Sequence, residues 1–168
     1  DISFLIDVFQ KLSRKDTILV IIGNFDDQNY KSLITKKINE SLLKKNIILM
    51  EHQEKSDLEK FLKISDIFVY ASAYDNFCNS VAEAIIAGKL VISSKNIGVT
   101  SYFKNNSSIL LSHKNIKNYV YLINKALNNK TYTTEIIKNS IIQSDKKLNA
   151  YNISAKLNDI YNSLRKSE

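Results

Sequence analysis

Short apolar runs rich in β-branched residues alternate with amphipathic helical segments, and this alternation constrains the fold more than any other feature of the chain. The runs have the length and composition of strands that are buried on both faces of a parallel sheet. They are TILVIIG (17–23), NIILM (46–50), DIFVYA (66–71), LVISS (90–94) and SILLS (108–112). Strands separated by helices indicate βαβ units. The sequence therefore predicts an α/β fold of Rossmann-like type, with a parallel sheet and helices on both of its faces.

Helical spacing of apolar residues predicts the segments that connect these strands. The segment 29–45 is predicted to be one helix, and its apolar side would consist of Leu33, Ile34, Ile38, Leu42 and Leu43. Ser56, with Glu59 three positions later, predicts a capping box at the start of the next helix. Beyond Lys114 three helices are predicted, at 115–129, 133–148 and 153–166.

The predicted topology also locates a ligand site. In open parallel sheets, ligands bind outside the carboxyl ends of the strands. The loops that follow Gly23, Met50, Ala71 and Ser94 are therefore expected to line one crevice. The length of 168 residues suits a single domain, 1–168, with its own core. Because the chain does not begin with Met, we expect it to be part of a longer protein.

Composition excludes several classes of protein. Cys78 is the only cysteine, so an internal disulfide is impossible and a cytoplasmic, reducing location is expected. The longest purely apolar run, 18–22, is far too short to cross a bilayer. The first residues carry neither a basic region nor a cleavage-like site, so we expect no signal peptide.

The common catalytic and cofactor motifs are missing. The three glycines cannot form a dinucleotide-binding G-x-G-x-x-G motif or a phosphate-binding P-loop. His52 and His113 are far apart, without a second Cys or His near either, so the sequence predicts no metal site. Cys78 could be a thiol nucleophile, but a single cysteine near a helix start is more often a packed residue, and we favour that interpretation.

The net charge of +7 is concentrated in the last third of the chain. From Lys114 onward, ten lysine or arginine residues stand against four acidic ones. Solvated lysine-bearing helices are the favoured interpretation, and peripheral contact of residues 114–168 with an anionic membrane is the alternative. Nucleic acid is not expected as a partner, because the chain has only two arginines and no groove-reading motif.

The stretch YDNFCNSVAEAIIAGKLVISS (74–94) contains the candidate site. Asp75 follows a predicted strand, and Glu83 lies one to two turns inside the next helix. The free N–H groups of a helix start attract anions, above all phosphate. A nucleotide diphosphate sugar could place its diphosphate over residues 77–80, its ribose against Glu83 and its sugar against Asp75. Alternatively, Asp75 is only a loop or capping residue and Glu83 is only a solvent-facing one.

The order of features around this stretch resembles the C-terminal domain of retaining GT-B glycosyltransferases of the family-4 type. That family has a strand ending near Ser, then Glu-Gly-Phe, a Glu-Ala helix, Gly-x-Pro-Val-Ile and a glycine-containing loop. The corresponding residues here are Ser72, Asp75-Asn76-Phe77, Asn79, Glu83-Ala84, Gly88, Val91-Ile92-Ser93 and Gly98. The resemblance extends over nearly the whole chain.

The resemblance implies a function and roles for individual residues. Glu83 would bind the donor ribose, and Asp75 would be the catalytic residue that contacts the transferred sugar. The loop segments bordering the nucleotide would be Gly23-Asn24, Glu51-His52-Gln53 and Asn76-Phe77-Cys78-Asn79-Ser80. Glycosyl transfer would proceed with retention and without a bound metal or cofactor, onto an acceptor such as a growing surface polysaccharide or a lipid-linked sugar.

The same resemblance makes the chain one half of a GT-B architecture. The acceptor-binding N-terminal domain would lie outside these residues, and the donor-binding half alone would be inactive. Asp75 is one methylene shorter than the usual Glu, and Cys78 stands where Gly or Pro is common. Two alternatives stay open: a degenerate, non-catalytic nucleotide-binding domain, and a sugar-nucleotide epimerase of GT-B architecture.

Overall fold

The computed structural model describes residues 1–165 as an α/β fold. Five strands follow the predicted runs: β1 Leu19–Ile22, β2 Ile47–Met50, β3 Ile67–Tyr70, β4 Leu90–Ser94 and β5 Leu110–Ser112. Seven α-helices are described: α1 Ile2–Leu12, α2 Gln28–Asn39, α3 Lys55–Ile64, α4 Asn79–Ile86, α5 Ile116–Asn128, α6 Lys130–Leu148 and α7 Ala150–Arg165. The alternation of strands and helices predicted from the apolar runs is confirmed.

All the strand pairings are parallel, and they form two ladders. β1 pairs with β2, and β4 lies between β3 and β5. A single apolar core joins the ladders, because Ile21 and Ile47 from the first belong to the same buried cluster as Ile92 and Leu110 from the second. The predicted Rossmann-like arrangement is thus confirmed, with its hydrogen-bonded ladder divided between β2–β1 and β3–β4–β5.

Alternate residues of β4 enter two different cores. Leu90 and Ile92 belong to the cluster that includes residues of α1, α2 and α5. Val91, between them, belongs to a second cluster formed largely by α4 and the segment that follows β4. Because successive side chains of a strand point to opposite faces, this division shows that β4 is covered on both sides.

Two predicted helix boundaries are wrong. Helix α2 ends at Asn39, so Leu42 lies beyond it and is fully exposed rather than on a buried helical face. Leu33 is also exposed, because Ile34 and Ile38 face the core. Helix α3 begins at Lys55 with Glu54 at its cap, which places Ser56 inside the first turn. Short-range spacing does not distinguish a helix from a turn that continues its apolar pattern.

The described residues also bear on membrane association. Within residues 1–165, no helix combines the length and the apolar character needed to cross a bilayer.

Candidate functional site

The loop between β3 and α4, residues 71–78, contains Asp75 and is called the acidic loop. It is held against the segment that follows β4. The amide of Asp75 donates to the Asn96 carbonyl (3.2 Å), and the amide of Gly98 donates to the Asp75 carbonyl (2.9 Å). Val99 adds a third bond by donating to the Phe77 carbonyl at 3.0 Å. These bonds extend the β3–β4 pairing past the ends of the strands and determine where the backbone around Asp75 lies.

Gly98 permits this pairing because it has no side chain. A Cβ atom at position 98 would lie 1.8 Å from the carbonyl oxygen of Asn76 and 2.7 Å from its carbonyl carbon. Both are backbone atoms, so a rotamer change cannot relieve the overlap. The close approach of the two segments therefore depends on glycine at this position.

Both carboxylate oxygens of Asp75 accept hydrogen bonds from the protein. Oδ1 accepts from the amide of Phe77 at 3.1 Å, and Oδ2 accepts from the hydroxyl of Tyr70 at 3.0 Å. The Asp75 side chain is half-buried. Asp75 therefore organises its own loop, as the alternative interpretation expected. A carboxylate has about four acceptor positions, so two remain for a ligand.

Helix α4 begins directly after this loop. Its N-cap residue, Cys78, has a left-handed backbone (φ 67°), a conformation that glycine adopts more readily than cysteine. The buried thiol of Cys78 lies 3.3 Å from the Ser80 hydroxyl and makes no capping bond within the described chain. The N–H groups at the start of α4 are thus free for a ligand, and the side chains of Asn76, Asn79 and Ser80 beside them are exposed.

Glu83 is on the outer side of α4. Its helical neighbours Val81, Ala82, Ala84 and Ile85 are buried. Glu83 itself is exposed, and among the described side chains its carboxylate has neither an ion-pair nor a hydrogen-bond partner. Packing of α4 therefore needs the residues around Glu83 but does not need its carboxylate.

The two loops predicted to border the nucleotide base are joined. The side-chain oxygen of Asn24 accepts from the amide of His52 at 3.1 Å, and the Gly23 amide donates to the Met50 carbonyl at 3.2 Å. The side-chain amide of Gln53 donates to the Glu51 carbonyl at 3.0 Å, within the same turn. The carboxyl ends of β1 and β2 thus present one continuous rim.

A lysine from α2 approaches this rim. Lys31 forms an ion pair with Glu51 (2.9 Å), and hydrogen bonding to Lys31 holds the pKa of the Glu51 carboxyl below its usual value. Because Glu51 is exposed to solvent, the pair contributes little to stability.

A buried tyrosine that the sequence did not identify connects the strand ends. Tyr119, on α5, donates its hydroxyl to the Tyr70 carbonyl at 2.9 Å and lies 3.1 Å from the Ser94 hydroxyl. Ser94 in turn accepts from the amide of Ser72 at 3.1 Å. Burial raises the pKa of Tyr119, so its phenol stays a neutral donor. The sequence predicted only that this residue lies in a helix.

In the described part of the chain, no three side chains of His, Cys, Asp or Glu lie close enough together to hold a metal ion.

These features define the class of the fold. A Rossmann-like parallel sheet carries an acidic loop and an open helix start at its carboxyl edge, which is the arrangement of one half of a GT-B glycosyltransferase. The sequence model of the family described as "Glycosyl transferases group 1" matches residues 1–143. The chain belongs to that family.

Solved glycosyltransferase structures have the same fold. HepE from Anabaena in complex with UDP superposes with a TM-score of 0.87 at 18% identity, over 96% of this chain and 44% of HepE. A glycosyltransferase from Rickettsia africae gives 0.87 at 19% identity, over 99% of this chain and 45% of that one. The chain therefore spans less than half the length of these two proteins.

A separately solved domain agrees with them. The C-terminal domain of the group 1 family protein LpcC from Francisella tularensis gives a TM-score of 0.79 at 18% identity, over 88% of this chain and 78% of that domain. No curated protein sequence matches the chain. At these identities the likenesses establish the fold, and the predicted GT-B domain is confirmed.

Proposed function

We propose that the chain is the donor-binding half of a retaining, metal-independent glycosyltransferase whose donor is a nucleotide diphosphate sugar. The observation that carries the proposal is the exposed carboxylate of Glu83, beside an open helix start on a helix that buries the residues around it. A carboxylate without a protein partner is available to accept hydrogen bonds from a ribose diol. HepE, which has the same fold, was solved with UDP and with UDP-glucose, which supports a donor of this class.

In the proposed arrangement, the base lies against His52 and Gln53, with Asn24, which is bonded to the His52 amide, beside them on the same rim. Glu83 accepts from the ribose hydroxyls, and the amides of residues 78–80 donate to the diphosphate, because the Phe77 amide is already bonded to Asp75. Asp75 uses its remaining acceptor positions for the transferred sugar. The base would thus lie at the rim that follows β1 and β2, and the sugar at the loop that follows β3.

The rest of the enzyme completes the site in this proposal. An acceptor-binding half elsewhere in the full-length protein closes over the donor, and this chain alone is inactive in transfer. A growing surface polysaccharide or a lipid-linked sugar is the proposed acceptor, on the cytoplasmic side of the membrane.

Nucleotide titration tests the donor site. We expect the chain to bind one of UDP, GDP and ADP with a Kd on the order of 1 mM, about −4 kcal/mol, because one open half supplies only part of the site. Glu83→Ala is expected to weaken that binding about tenfold or more, since hydrogen bonds to a charged group contribute ~1.5–3 kcal/mol. Calorimetry or NMR titration measures both values.

Glu135→Ala is the matched control, because Glu135 is also an exposed helical glutamate but belongs to α6. Its nucleotide affinity should equal that of the wild type. Equal binding by Glu83→Ala and the wild type would refute the ribose role. Absence of binding for all three nucleotides would refute the proposed donor site.

Peripheral membrane contact through residues 114–168 is proposed separately, as the alternative to solvated lysine-bearing helices. Lys138, Lys146 and Lys147 are exposed on α6, in the basic third of the chain. We expect the chain to float with vesicles containing phosphatidylglycerol at 50 mM salt and to be released at about 0.5 M salt, where screening is strong. Phosphatidylcholine vesicles serve as the control. Flotation that salt does not change would contradict the electrostatic contact.

A further inference from the structure

Tyr70, the last residue of β3, connects the strand to the acidic loop through its side chain. Its hydroxyl donates to Oδ2 of Asp75 at 3.0 Å, across five residues of chain. The half-buried ring packs against the apolar cluster that contains Val81 and Ile85 of α4. The Tyr70 side chain therefore contacts both the loop and the core beneath the loop.

The position of Tyr70 is determined by the core. Its backbone pairs in register with Ser93 of the buried strand β4. Its carbonyl accepts the hydroxyl of Tyr119, a side chain with no solvent exposure. A series of contacts thus runs from α5 through Tyr119 and Tyr70 to Asp75. Tyr119 is fully buried, whereas Tyr70 and Asp75 are half-buried.

The carboxylate of Asp75 is held from two directions. Tyr70 bonds Oδ2, and the amide of Phe77 bonds Oδ1. Rotation of the carboxylate away from this orientation would break at least one of the two bonds. An orientation maintained before ligand binding removes part of the ordering cost when the ligand arrives.

The phenol of Tyr70 remains a donor over the physiological pH range. Burial, and to a lesser extent the neighbouring Cys78 and Asp75, raise the pKa of Tyr70 well above its ordinary value. A neutral phenol next to a carboxylate donates a charge-assisted hydrogen bond, which is stronger than a bond between neutral groups.

We propose that Tyr70 is a positioning residue, whose hydroxyl orients the Asp75 carboxylate for the sugar of the donor. This inference rests on the proposed function for the identity of the ligand. It also has a part that is independent of any ligand, because the hydroxyl of Tyr70 orients Asp75 in the free protein.

The ligand-free measurement uses Tyr70→Phe, which removes one oxygen atom and keeps the ring. The freed carboxylate should release its bond to the Phe77 amide, so the exchange of that amide proton with water is expected to accelerate at least fivefold. Tyr121→Phe is the matched control, because Tyr121 is exposed on α5 and its loss should leave the Phe77 exchange rate unchanged. Exchange at the wild-type rate in Tyr70→Phe would overturn the proposal.

The ligand measurement compares each nucleoside diphosphate with its sugar derivative, using UDP and UDP-glucose, GDP and GDP-mannose, and ADP and ADP-glucose. The Kd of the nucleoside diphosphate divided by the Kd of its sugar derivative reports the contribution of the sugar to binding. In Tyr70→Phe we expect this ratio to fall five- to tenfold while the Kd of the nucleoside diphosphate changes less than twofold. If Tyr70 had only a general structural role, the substitution would weaken the binding of both ligands equally. That result would overturn the proposal.

A double substitution completes the test. Asp75→Ala should remove the sugar contribution, and adding Tyr70→Phe to it should produce no further loss, because the two residues act as one unit. Additive losses would overturn the positioning role. If the wild type binds none of the nucleotides, the proposed function and the sugar role fail together. The Phe77 exchange rate then still decides whether Tyr70 orients Asp75.

Discussion

Gly98→Ala is expected to be the most damaging single substitution near the site. The added Cβ would overlap the Asn76 carbonyl oxygen at 1.8 Å, so either the acidic loop or the segment after β4 must move. Three hydrogen bonds between these segments, including the one from Gly98 to Asp75, would be strained or lost. We expect a loss of about 3 kcal/mol in the free energy of unfolding, as in severe overpacking, measured by urea denaturation.

Gly88→Ala is the matched control. Gly88 has a positive φ of 71°, and a Cβ there would meet only a side-chain atom of Ile141 at 3.4 Å. Its expected cost is therefore backbone strain alone, about 1–2 kcal/mol. The overlap at position 98 is with the backbone, so its cost should be the larger of the two. Equal or smaller destabilisation by Gly98→Ala would contradict the close approach described here.

Tyr119→Phe is expected to have the second largest effect. The substitution retains the buried ring but removes the hydroxyl that donates to the Tyr70 carbonyl and contacts Ser94. A buried polar group that loses its partner costs about 1–3 kcal/mol. Here the Tyr70 carbonyl loses the hydroxyl donor, whereas Ser94 keeps its bond from the Ser72 amide. We expect the free energy of unfolding to fall by about 2 kcal/mol, and urea denaturation measures it.

Tyr121→Phe provides the comparison for this effect. It removes the same atom two positions along the same helix, from a side chain that is 63% exposed. Its free energy of unfolding should stay within about 0.5 kcal/mol of the wild type, as for most surface substitutions. If Tyr119→Phe also stays within about 0.5 kcal/mol of the wild type, the buried hydroxyl does not stabilise the ends of the strands.

The local pattern of the chain was enough to predict the strands and most of the helices. Buried parallel strands need short runs of β-branched residues, and amphipathic helices need apolar residues at helical spacing. Both patterns can therefore be recognised from residues that are close together in the sequence. The exceptions are boundaries. Leu42 continues an apolar spacing beyond the end of α2, and its exposure depends on where the core lies rather than on its neighbours.

The candidate site divides in the same way. The positions of Asp75 in the loop before a helix and of Glu83 one to two turns inside that helix followed from short-range order, and the described structure has both. The carboxylate of Asp75 is different, because Tyr70 and Phe77 both bond to it. Nothing in the residue types of the loop indicated that both of its oxygens would have protein partners.

The sequence by itself determined the fold class, the order of the elements, and the loop and helix in which Asp75 and Glu83 lie, because each depends on residues within a turn or a strand length of one another. Only the tertiary structure decided that the acidic loop packs directly against Gly98. It also decided that the Tyr119 hydroxyl bonds the Tyr70 carbonyl, across 49 residues of chain. Contacts of this kind depend on how strands and helices pack. Packing is a property of the whole core, and residue spacing alone does not encode it.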